Sequence, residues 1–251
     1  MSYGLIEVLE LLRPWDPVAI QKIRVGGGGD GGYVLLDQLR PDQLVFSYGV
    51  GPDTSFDRAM AEHGMRVLMY DHTVPMPADL PPNCTFYKEG IGPQRDAAIP
   101  CDTLASHVER HAAARNDLIL KMDVEGAEWH SLLETPDEIL SSFEQIVMEV
   151  HSLESLAHAG GRALRGKVFE KLNRNFRLFH VHSNNSQDLF TVEGLPVTNL
   201  LEVSYARLDI CGFVHSSTVF PTVLDAPCWP QKADHKLWFF PFVPRFDPQF
   251  E

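Results

Sequence analysis

The segment spanning residues 45–71 restricts the fold more than any other part of the sequence. It opens with an apolar, aromatic-rich run and breaks at residues 49–52, which read GVGP. Apolar side chains then recur at helical spacing as far as Gly64, and a second apolar run at residues 66–70 leads to Asp71. The pattern predicts a β-α-β unit with glycines at its first turn and a carboxylate after its second strand.

The chemistry of this turn suits a nucleoside-containing cofactor. Gly49 and Gly51 allow a sharp bend and a close ligand approach. The following helix points free N–H groups at the turn, and Asp71 lies about twenty residues on, where an acid can hold ribose hydroxyls. A dinucleotide needs a third glycine for its pyrophosphate, where the sequence has Thr54. We therefore favour S-adenosylmethionine over a dinucleotide, with an ordinary tight turn as the alternative.

Length and charge narrow the class of protein. A chain of 251 residues can bury one sizeable core. Its formal net charge of −13 disfavours nucleic acid and anionic membranes as partners. No apolar run is long enough to span a bilayer, and the acidic residues near the N-terminus favour a helix over a signal peptide. Four cysteines without paired spacing indicate reduced thiols in a cytoplasmic protein.

Alternating strand and helix patterns predict an α/β protein with a largely parallel sheet. We expect an N-terminal helical and glycine-rich cap at 1–42, a main domain at 43–215 and an aromatic, proline-rich tail at 216–251. Helices are predicted at residues 5–13, 17–22, 53–63, 101–115 and 167–176. Strands are predicted at residues 44–48, 66–70, 84–88, 118–122, 143–150, 177–181, 189–192 and 200–208.

Two irregular segments have open interpretations. Residues 26–32 read GGGGDGG, but the residues that follow them are strand-like. A hairpin or flexible turn is therefore favoured over a nucleotide loop, and a loop that folds over a cofactor bound elsewhere is the functional alternative. The tail is interpreted as a segment packed on the domain, and a lid or a homodimer contact is the alternative.

Polar residues follow the apolar runs at one end of six predicted strands. Ligands of parallel sheets bind at the carboxyl ends of the strands, so these residues form the candidate site. They are Gly49, Gly51, Asp71, residues 89–92, Asp123, Glu125, Glu149, His151, His182 and Asn184.

Several motifs resemble the FkbM-type methyltransferases, which are class I S-adenosylmethionine-dependent enzymes. The most specific motif is KMDVEGAEW at residues 121–129. The resemblance covers roughly residues 20–210, and the tail matches no pattern of that family. Further motifs with similar order and spacing are DGGYVL (30–35), FSYGVGPDTSFD (46–57), MYDHT (69–73), MEVH (148–151), VHSNN (181–185) and LLEVSYAR (200–207).

The resemblance implies a Rossmann-like seven-stranded sheet, mostly parallel with an antiparallel last strand and with helices on both faces. It implies that Gly49 and Gly51 lie under the methionine part of the cofactor and that Asp71 holds the ribose. Asp123 would pair with the cationic end of the cofactor. The full set assigned to the cofactor is Asp30, Gly49, Gly51, Asp53, Ser55, Asp71, His72, Glu89, Gly90, Ile91 and Asp123.

Methyl transfer to an alcohol requires a positioned nucleophile and loss of its proton. The candidate catalytic residues are His151, His182, Asp123 and Glu149. We favour His151 as the base, because an imidazole with a pKa of about 6.5 is neutral at pH 7. The residues assigned to the acceptor are Asn184, Glu125 and Trp129. A divalent metal held by Asp123, Glu149 and a histidine is a less favoured alternative.

The sequence thus predicts a methyltransferase for a small-molecule, natural-product or sugar acceptor, with oxygen as the favoured methyl acceptor. N-methylation of an amine or peptide is the first alternative. An NAD-linked oxidoreductase and a non-catalytic binding module are alternatives of other classes.

Overall fold

A computed structural model of the chain describes residues 3–96 and 98–244. Within these ranges, no helix combines the length and the apolar character needed to span a membrane. Besides a 3₁₀ turn at Leu153–Ala157, the helices are α1 Leu5–Glu10, α2 Ser55–Glu62, α3 Leu104–Ala112, α4 Glu128–Glu134, α5 Asp137–Leu140 and α6 Ala159–Asn175. The strands are β1 Trp15–Pro17, β2 Lys22–Val25, β3 Tyr33–Leu36, β4 Leu44–Tyr48, β5 Arg66–Tyr70, β6 Cys84–Tyr87, β7 Gly90–Ile91, β8 Cys101–Asp102, β9 Leu118–Met122, β10 Phe143–Val150, β11 Phe176–Ser183, β12 Phe190–Val192, β13 Leu195–Val197, β14 Leu201–Arg207 and β15 Phe213–His215.

Seven strands form the central sheet, in the order β11-β14-β10-β9-β4-β5-β6. The pairs from β10 through β9, β4 and β5 to β6 are parallel. Strand β14 is inserted between β10 and β11 and runs antiparallel to both. This confirms the predicted Rossmann-like sheet with an antiparallel last strand. The parallel strands have almost continuously apolar sequences, because their neighbours and the covering elements bury them on both faces.

The predicted β-α-β unit at residues 45–71 is confirmed as β4, α2 and β5. The glycine-rich stretch at residues 26–32 connects the antiparallel strands β2 and β3, which confirms a hairpin. The predicted helix at residues 17–22 is wrong. Strand β1 pairs there with β15, and Ala19 has a positive φ of 64°, which a helix does not accommodate.

Two helices begin three or more residues away from their predicted starts. Strand β8 precedes α3, so that helix begins at Leu104 rather than at Cys101. Helix α6 begins at Ala159, well before the predicted start at residue 167, and it includes Gly160 and Gly161. Packing overrides the low helix propensity of that first turn.

The tail returns to the core of the domain and then follows the end of β11. Phe220, Leu237 and Phe242 are buried in the largest hydrophobic cluster. The Asn185 side chain accepts a hydrogen bond from the Trp229 backbone N–H at 2.7 Å and donates to the carbonyl oxygens of Trp229 and Lys232. Residues 1, 2 and 245–251 of the predicted cap and tail lie outside the described residues.

Candidate functional site

A cleft of about 180 Å³ opens at the carboxyl ends of β4, β5 and β9. Several residues predicted for the cofactor line it together, although they come from four separate segments. Glu125, predicted for the acceptor, also lies on its wall. The lining residues are Tyr48, Gly49, Tyr70, Asp71, His72, Thr73, Gly90, Ile91, Asp123, Val124, Glu125 and Ala127.

Gly49 lies where the segments after β4 and β9 meet. Its φ is +74°, and a Cβ at this position would overlap the carbonyl oxygen of Asp123. The Gly49 N–H donates to the Tyr70 carbonyl at 3.0 Å. The nearby Gly51 has a φ of +58° and open space where a Cβ would project. Glycine is therefore required at 49 by contact and at 51 by backbone conformation alone.

Asp71 organises the turns around the cleft. Its Oδ2 accepts hydrogen bonds from the N–H groups of Val50 and Gly51 at 3.0 and 3.3 Å. Its Oδ1 accepts from the N–H and hydroxyl of Thr73 and from the Val74 N–H at 2.6–3.2 Å. Burial by itself raises the pKa of this carboxyl, but the hydrogen bonds from Thr73 and Gly51 outweigh it and hold the pKa below its usual value.

These five bonds change the interpretation of Asp71. The sequence predicts that Asp71 holds the ribose, whereas both carboxylate oxygens already accept hydrogen bonds from the chain itself. Asp71 still lines the cleft, and its visible role is to fix the glycine turn against the segment that follows β5.

The far end of the cleft is formed by β7 and the residue after Asp71. A Cβ on Gly90 would overlap His72 Nδ1, so the glycine lets the imidazole ring lie against the strand. Ile91 adds a nearly buried apolar surface. Glu89, predicted for the cofactor, is outside the lining. Its carboxylate pairs with Arg110 at 2.8 Å and lies 3.5 Å from His107 of α3.

The glycine-rich hairpin is docked on the start of α2. The Gly27 N–H donates to Ser55 Oγ at 2.8 Å, and Asp53 Oδ1 accepts from the Ser55 N–H at 2.8 Å. A Cβ on Gly31 would lie 2.8 Å from Asp53 Oδ2. Asp53 and Ser55 therefore hold the hairpin and do not line the cleft, and their assignment to the cofactor stays a prediction. The hairpin carries Asp30 to within 4.8 Å of Glu149 and Glu202.

His151 lies among carboxylates and is 6% exposed. Its Nδ1 lies 3.3 Å from Oε1 of the fully buried Glu128, which also accepts the His151 backbone N–H at 2.8 Å. Its Nε2 lies 3.2 Å from Glu149, 3.4 Å from Glu125 and 3.6 Å from Asp123. Burial opposes the charged ring, but Glu128 and Glu149 outweigh it and raise the pKa of His151 to about 10.

A pKa raised to about 10 favours the protonated ring at pH 7, which is the opposite of the neutral imidazole that the sequence predicts, and the role of His151 as the base stays a prediction. The pKa of Glu149 is raised, by burial first and by Asp123 as well, although hydrogen bonds from His151 and Asn184 oppose the shift. The sequence motif placed His151 at the site but gave no sign of Glu128 as its partner.

His182 forms buried ion pairs with two carboxylates and is not among the residues that line the cleft. It is 1% exposed, with Nδ1 2.7 Å from Glu202 and Nε2 3.1 Å from Asp234 of the tail. Burial opposes its charge, but Asp234, Cys228 and Glu202 raise the pKa of His182 to about 12. Its assignment as a candidate base stays a prediction, which its burial and its raised pKa disfavour. Glu202, a lone acid in an apolar strand, was not selected from the sequence.

Two residues predicted for the acceptor have structural partners instead. Trp129 is 2% exposed, and its indole N–H donates to the His151 carbonyl at 2.9 Å. It packs edge-on against Phe169 in the core and is not among the residues that line the cleft. The Asn184 amide donates to Glu149 Oε2 at 2.8 Å and accepts from the Ser186 N–H at 3.0 Å. Asn184 therefore orients Glu149.

Comparisons with known proteins give fold-level likeness only. The sequence matches no protein-family model, and no curated protein matches it. A fibrillarin/Nop5p complex aligns over 68% of this chain and 75% of that chain, with 12% identity and a TM-score of 0.39. The 23S rRNA methyltransferase ErmE aligns over 68% of this chain and 63% of that chain, with 14% identity and a TM-score of 0.37.

A third similar structure is the precorrin-6y C5,15-methyltransferase from Geobacter metallireducens. It aligns over 67% of this chain and 81% of that chain, with 12% identity and a TM-score of 0.35. The fold assignment rests on the strand order of the central sheet. The resemblance to the FkbM-type family stays a prediction.

Proposed function

We propose that this chain is an S-adenosylmethionine-dependent methyltransferase that transfers the methyl group to oxygen of a small-molecule or sugar acceptor. One observation carries the proposal. The cleft joins the glycine turn after β4, the carboxylate after β5 and Asp123 after β9 at one edge of the sheet. In open α/β sheets, that edge is where ligands bind.

The cleft offers a different environment for each part of the cofactor. Ile91 and the Gly90–His72 contact provide an apolar and aromatic surface for the adenine. Gly49 lets the turn after β4 lie against the Asp123 carbonyl, so that backbone borders the space for the methionine part. Asp123 places a carboxylate near the cationic end of the cofactor, and such a charge pair is favourable when it is partly shielded from water.

The transfer is an in-line displacement at the methyl carbon. A bond forms from the acceptor oxygen to that carbon as the carbon–sulfur bond breaks, and the sulfonium becomes a neutral thioether. Asp123, Glu125 and Glu149 surround the single imidazole of His151. The acceptor proton passes to this carboxylate-rich cluster, of which Asp123 and Glu125 line the cleft.

The net charge of −13 supports a small acceptor. A nucleic acid requires a cationic surface to neutralise its phosphates, whereas the residues around His151 are mainly acidic. An uncharged hydroxyl compound or a sugar meets no such electrostatic penalty.

Cofactor binding can be measured by titration calorimetry with S-adenosylhomocysteine. We expect a dissociation constant between micromolar and sub-millimolar for the wild type. Gly51→Val should weaken binding at least tenfold, because a β-branched residue does not adopt a φ of +58° without shifting the turn that holds Gly49 in the cleft lining.

Gly194→Val is the matched control, since Gly194 also has a positive φ, of 84°, and open space around its Cβ position. It lies in the β12–β13 turn, which contributes no residue to the cleft lining. Gly194→Val should therefore bind S-adenosylhomocysteine as the wild type does. Far-ultraviolet circular dichroism of both variants checks that each is natively folded. Equal binding by the two variants, or binding of NAD in place of S-adenosylhomocysteine, would refute the proposal.

A further inference from the structure

The proposed function assigns no role to Lys121, a buried lysine within β9. It is the fourth residue of a five-residue strand whose members are all buried, and it is 5% exposed. Lysine is rarely buried to this extent unless its charge has a partner, because removing an ammonium from water is costly. Interior positions of parallel strands are usually apolar, so a lysine here requires a physical explanation.

The Lys121 ammonium donates to the backbone of the glycine turn. Nζ lies 3.3 Å from the Tyr48 carbonyl oxygen and also donates to the Gly49 carbonyl oxygen. Strands β4 and β9 are parallel neighbours in which Ser47 is opposite Lys121, so the lysine side chain reaches the two residues that follow Ser47. Burial raises the pKa of Asp57 on α2, and the charge of Lys121 opposes that shift. The ammonium is therefore compensated by backbone dipoles and by a nearby carboxyl.

The peptide group between Gly49 and Val50 lies between two opposite charges. Its carbonyl oxygen accepts from the Lys121 ammonium, and its N–H donates to Asp71 Oδ2 at 3.0 Å. In a trans peptide these two groups point in opposite directions, and the peptide dipole has its negative end at the oxygen. A reversed peptide would turn the oxygen toward the carboxylate and the N–H toward the ammonium. The two side chains therefore stabilise one orientation and disfavour the other.

Glycine by itself does not select that orientation. Gly49 and Gly51 have φ values of +74° and +58°. Because glycine adopts positive and negative φ about equally well, the residues that permit this turn also permit others. The Gly51 N–H also donates to Asp71 Oδ2, at 3.3 Å. The conformation of the turn thus depends on its charged neighbours as well as on its glycines.

We propose that Lys121 is a positioning residue for the cofactor, which acts with Asp71 to fix the orientation of the Gly49–Val50 peptide and thereby the backbone that Gly49 contributes to the cleft. The consequence for binding rests on the proposed function. A turn that is already fixed in the free protein binds its ligand without a further ordering cost. The orientation of the peptide does not depend on that function and can be measured without a ligand.

The test is nuclear magnetic resonance of this one peptide group. Gly49–Val50 is the single Gly–Val pair in the sequence. Protein made with glycine carrying ¹³C at the carbonyl and with ¹⁵N-valine should therefore give one peak in a spectrum that correlates an amide with the preceding carbonyl. Lys121→Met should shift this peak in the carbonyl dimension or split it in two, because the carbonyl loses its charged donor. Lys121→Gln removes the charge but keeps an amide donor, and it should shift the peak in the same direction.

Lys171→Met is the matched control. Lys171 Nζ also donates to two backbone carbonyl oxygens, those of Leu133 and Thr135, but Lys171 is not among the residues that line the cleft. Its replacement removes a lysine of the same kind and should leave the Gly49–Val50 peak unchanged.

Calorimetry with S-adenosylhomocysteine measures the consequence for binding. Lys121→Met should raise the dissociation constant by about tenfold or more, the size expected for loss of a charged hydrogen bond. Lys171→Met should bind as the wild type does. A Gly49–Val50 peak that stays in place in Lys121→Met, or that shifts equally in Lys171→Met, would overturn the proposal. A shifted peak together with wild-type affinity would also overturn it, because the orientation would then not matter to the cofactor.

Two further measurements cover the remaining outcomes. If circular dichroism shows that Lys121→Met does not fold, Lys121→Gln is judged by the same criteria. Hydrogen exchange of the Val50 amide in the wild type needs no variant, and exchange as fast as in an unstructured chain would contradict the orientation. A wild type that does not bind S-adenosylhomocysteine would refute the proposed function, with the measurement of the peptide group unaffected.

Discussion

At the scale of single residues, the cleft depends on close backbone approach and on saturated hydrogen bonds. Gly49 and Gly51 both have positive φ, but only Gly49 lies against another strand end, at the Asp123 carbonyl. Asp71 then ties the turn that contains these glycines to Thr73. Glycine is thus needed at 49 because another backbone lies close to it, and at 51 because of its backbone conformation.

Replacing the two glycines should separate these reasons. Gly49→Ala should be strongly destabilising, by about 3 kcal/mol or more. The added methyl group must displace the Asp123 backbone, and the alanine must also keep a positive φ that is strained for it. Gly51→Ala should cost only about 1–2 kcal/mol, since strain alone applies there. Urea denaturation would measure both. Equal losses would contradict the close approach at Gly49.

Asp71→Asn should lower the free energy of unfolding by about 2–3 kcal/mol at pH 7, because charged hydrogen bonds within the turns are lost. The pKa of Asp71 is depressed in the folded state. Its contribution is therefore fully present above the unfolded pKa of about 3.9 and is lost as the pH falls through the lower, folded value. Denaturation from pH 3 to 7 should show the gap between variant and wild type narrowing in acid. A constant gap would exclude the ionised carboxylate as the cause.

At the scale of elements, the reversed strand β14 decides which polar groups meet. Because it runs between β10 and β11, Glu202 is paired with Glu149 on one side and with His182 on the other. The tail then adds Asp234 and Cys228 to the same histidine. The buried Glu202 of β14 thereby connects His182 at the end of β11 with Cys228 of the tail.

The protonated His182 should make stability depend on pH in the alkaline range. Its pKa is raised to about 12 in the folded protein. Its stabilisation is therefore complete below the unfolded pKa of about 6.5 and decreases as the pH rises toward 12. Glu202, Asp234 and Cys228 are the titratable groups that face it. Between pH 7 and 9, this group should lower the free energy of unfolding by up to about 1.4 kcal/mol per pH unit.

His182→Gln should remove that part of the slope in urea denaturation, whereas the exposed His63→Gln should leave it unchanged. A slope that persists in His182→Gln would show that the imidazolium between Glu202 and Asp234 is not its source.

At the scale of the whole molecule, the tail contributes to the core and also covers one end of the sheet. Phe220 is fully buried and packs edge-on against His180, whose Nε2 lies 2.7 Å from Asp225 of the tail. Trp238, in contrast, is 60% exposed. Both residues are aromatic, so the sequence does not distinguish them. Only Phe220 removes its whole apolar side chain from water.

Phe220→Ala should lower the free energy of unfolding by about 3–5 kcal/mol, because it leaves a cavity in the main core. Trp238→Ala should change it by no more than about 1 kcal/mol. Thermal and urea unfolding of the full chain would compare them. Similar small effects would mean that the tail is not part of the cooperative unit.

The amino-acid sequence by itself determined the order of the sheet-forming segments and the position of the glycine turn. Apolar runs, helical spacing and glycine are local signals, and the residues that give rise to them are adjacent along the chain. The predicted helix at residues 17–22 failed because pairing of β1 with β15, almost two hundred residues away, overrode a local preference.

Only the tertiary structure decided what the polar residues can do. The charge of His151 depends on Glu128 and Glu149, and that of His182 depends on Glu202 and Asp234. An imidazole pKa is set by burial and by carboxylates within a few ångströms. Those neighbours are brought together by strand order and by the path of the tail, which local sequence spacing does not encode.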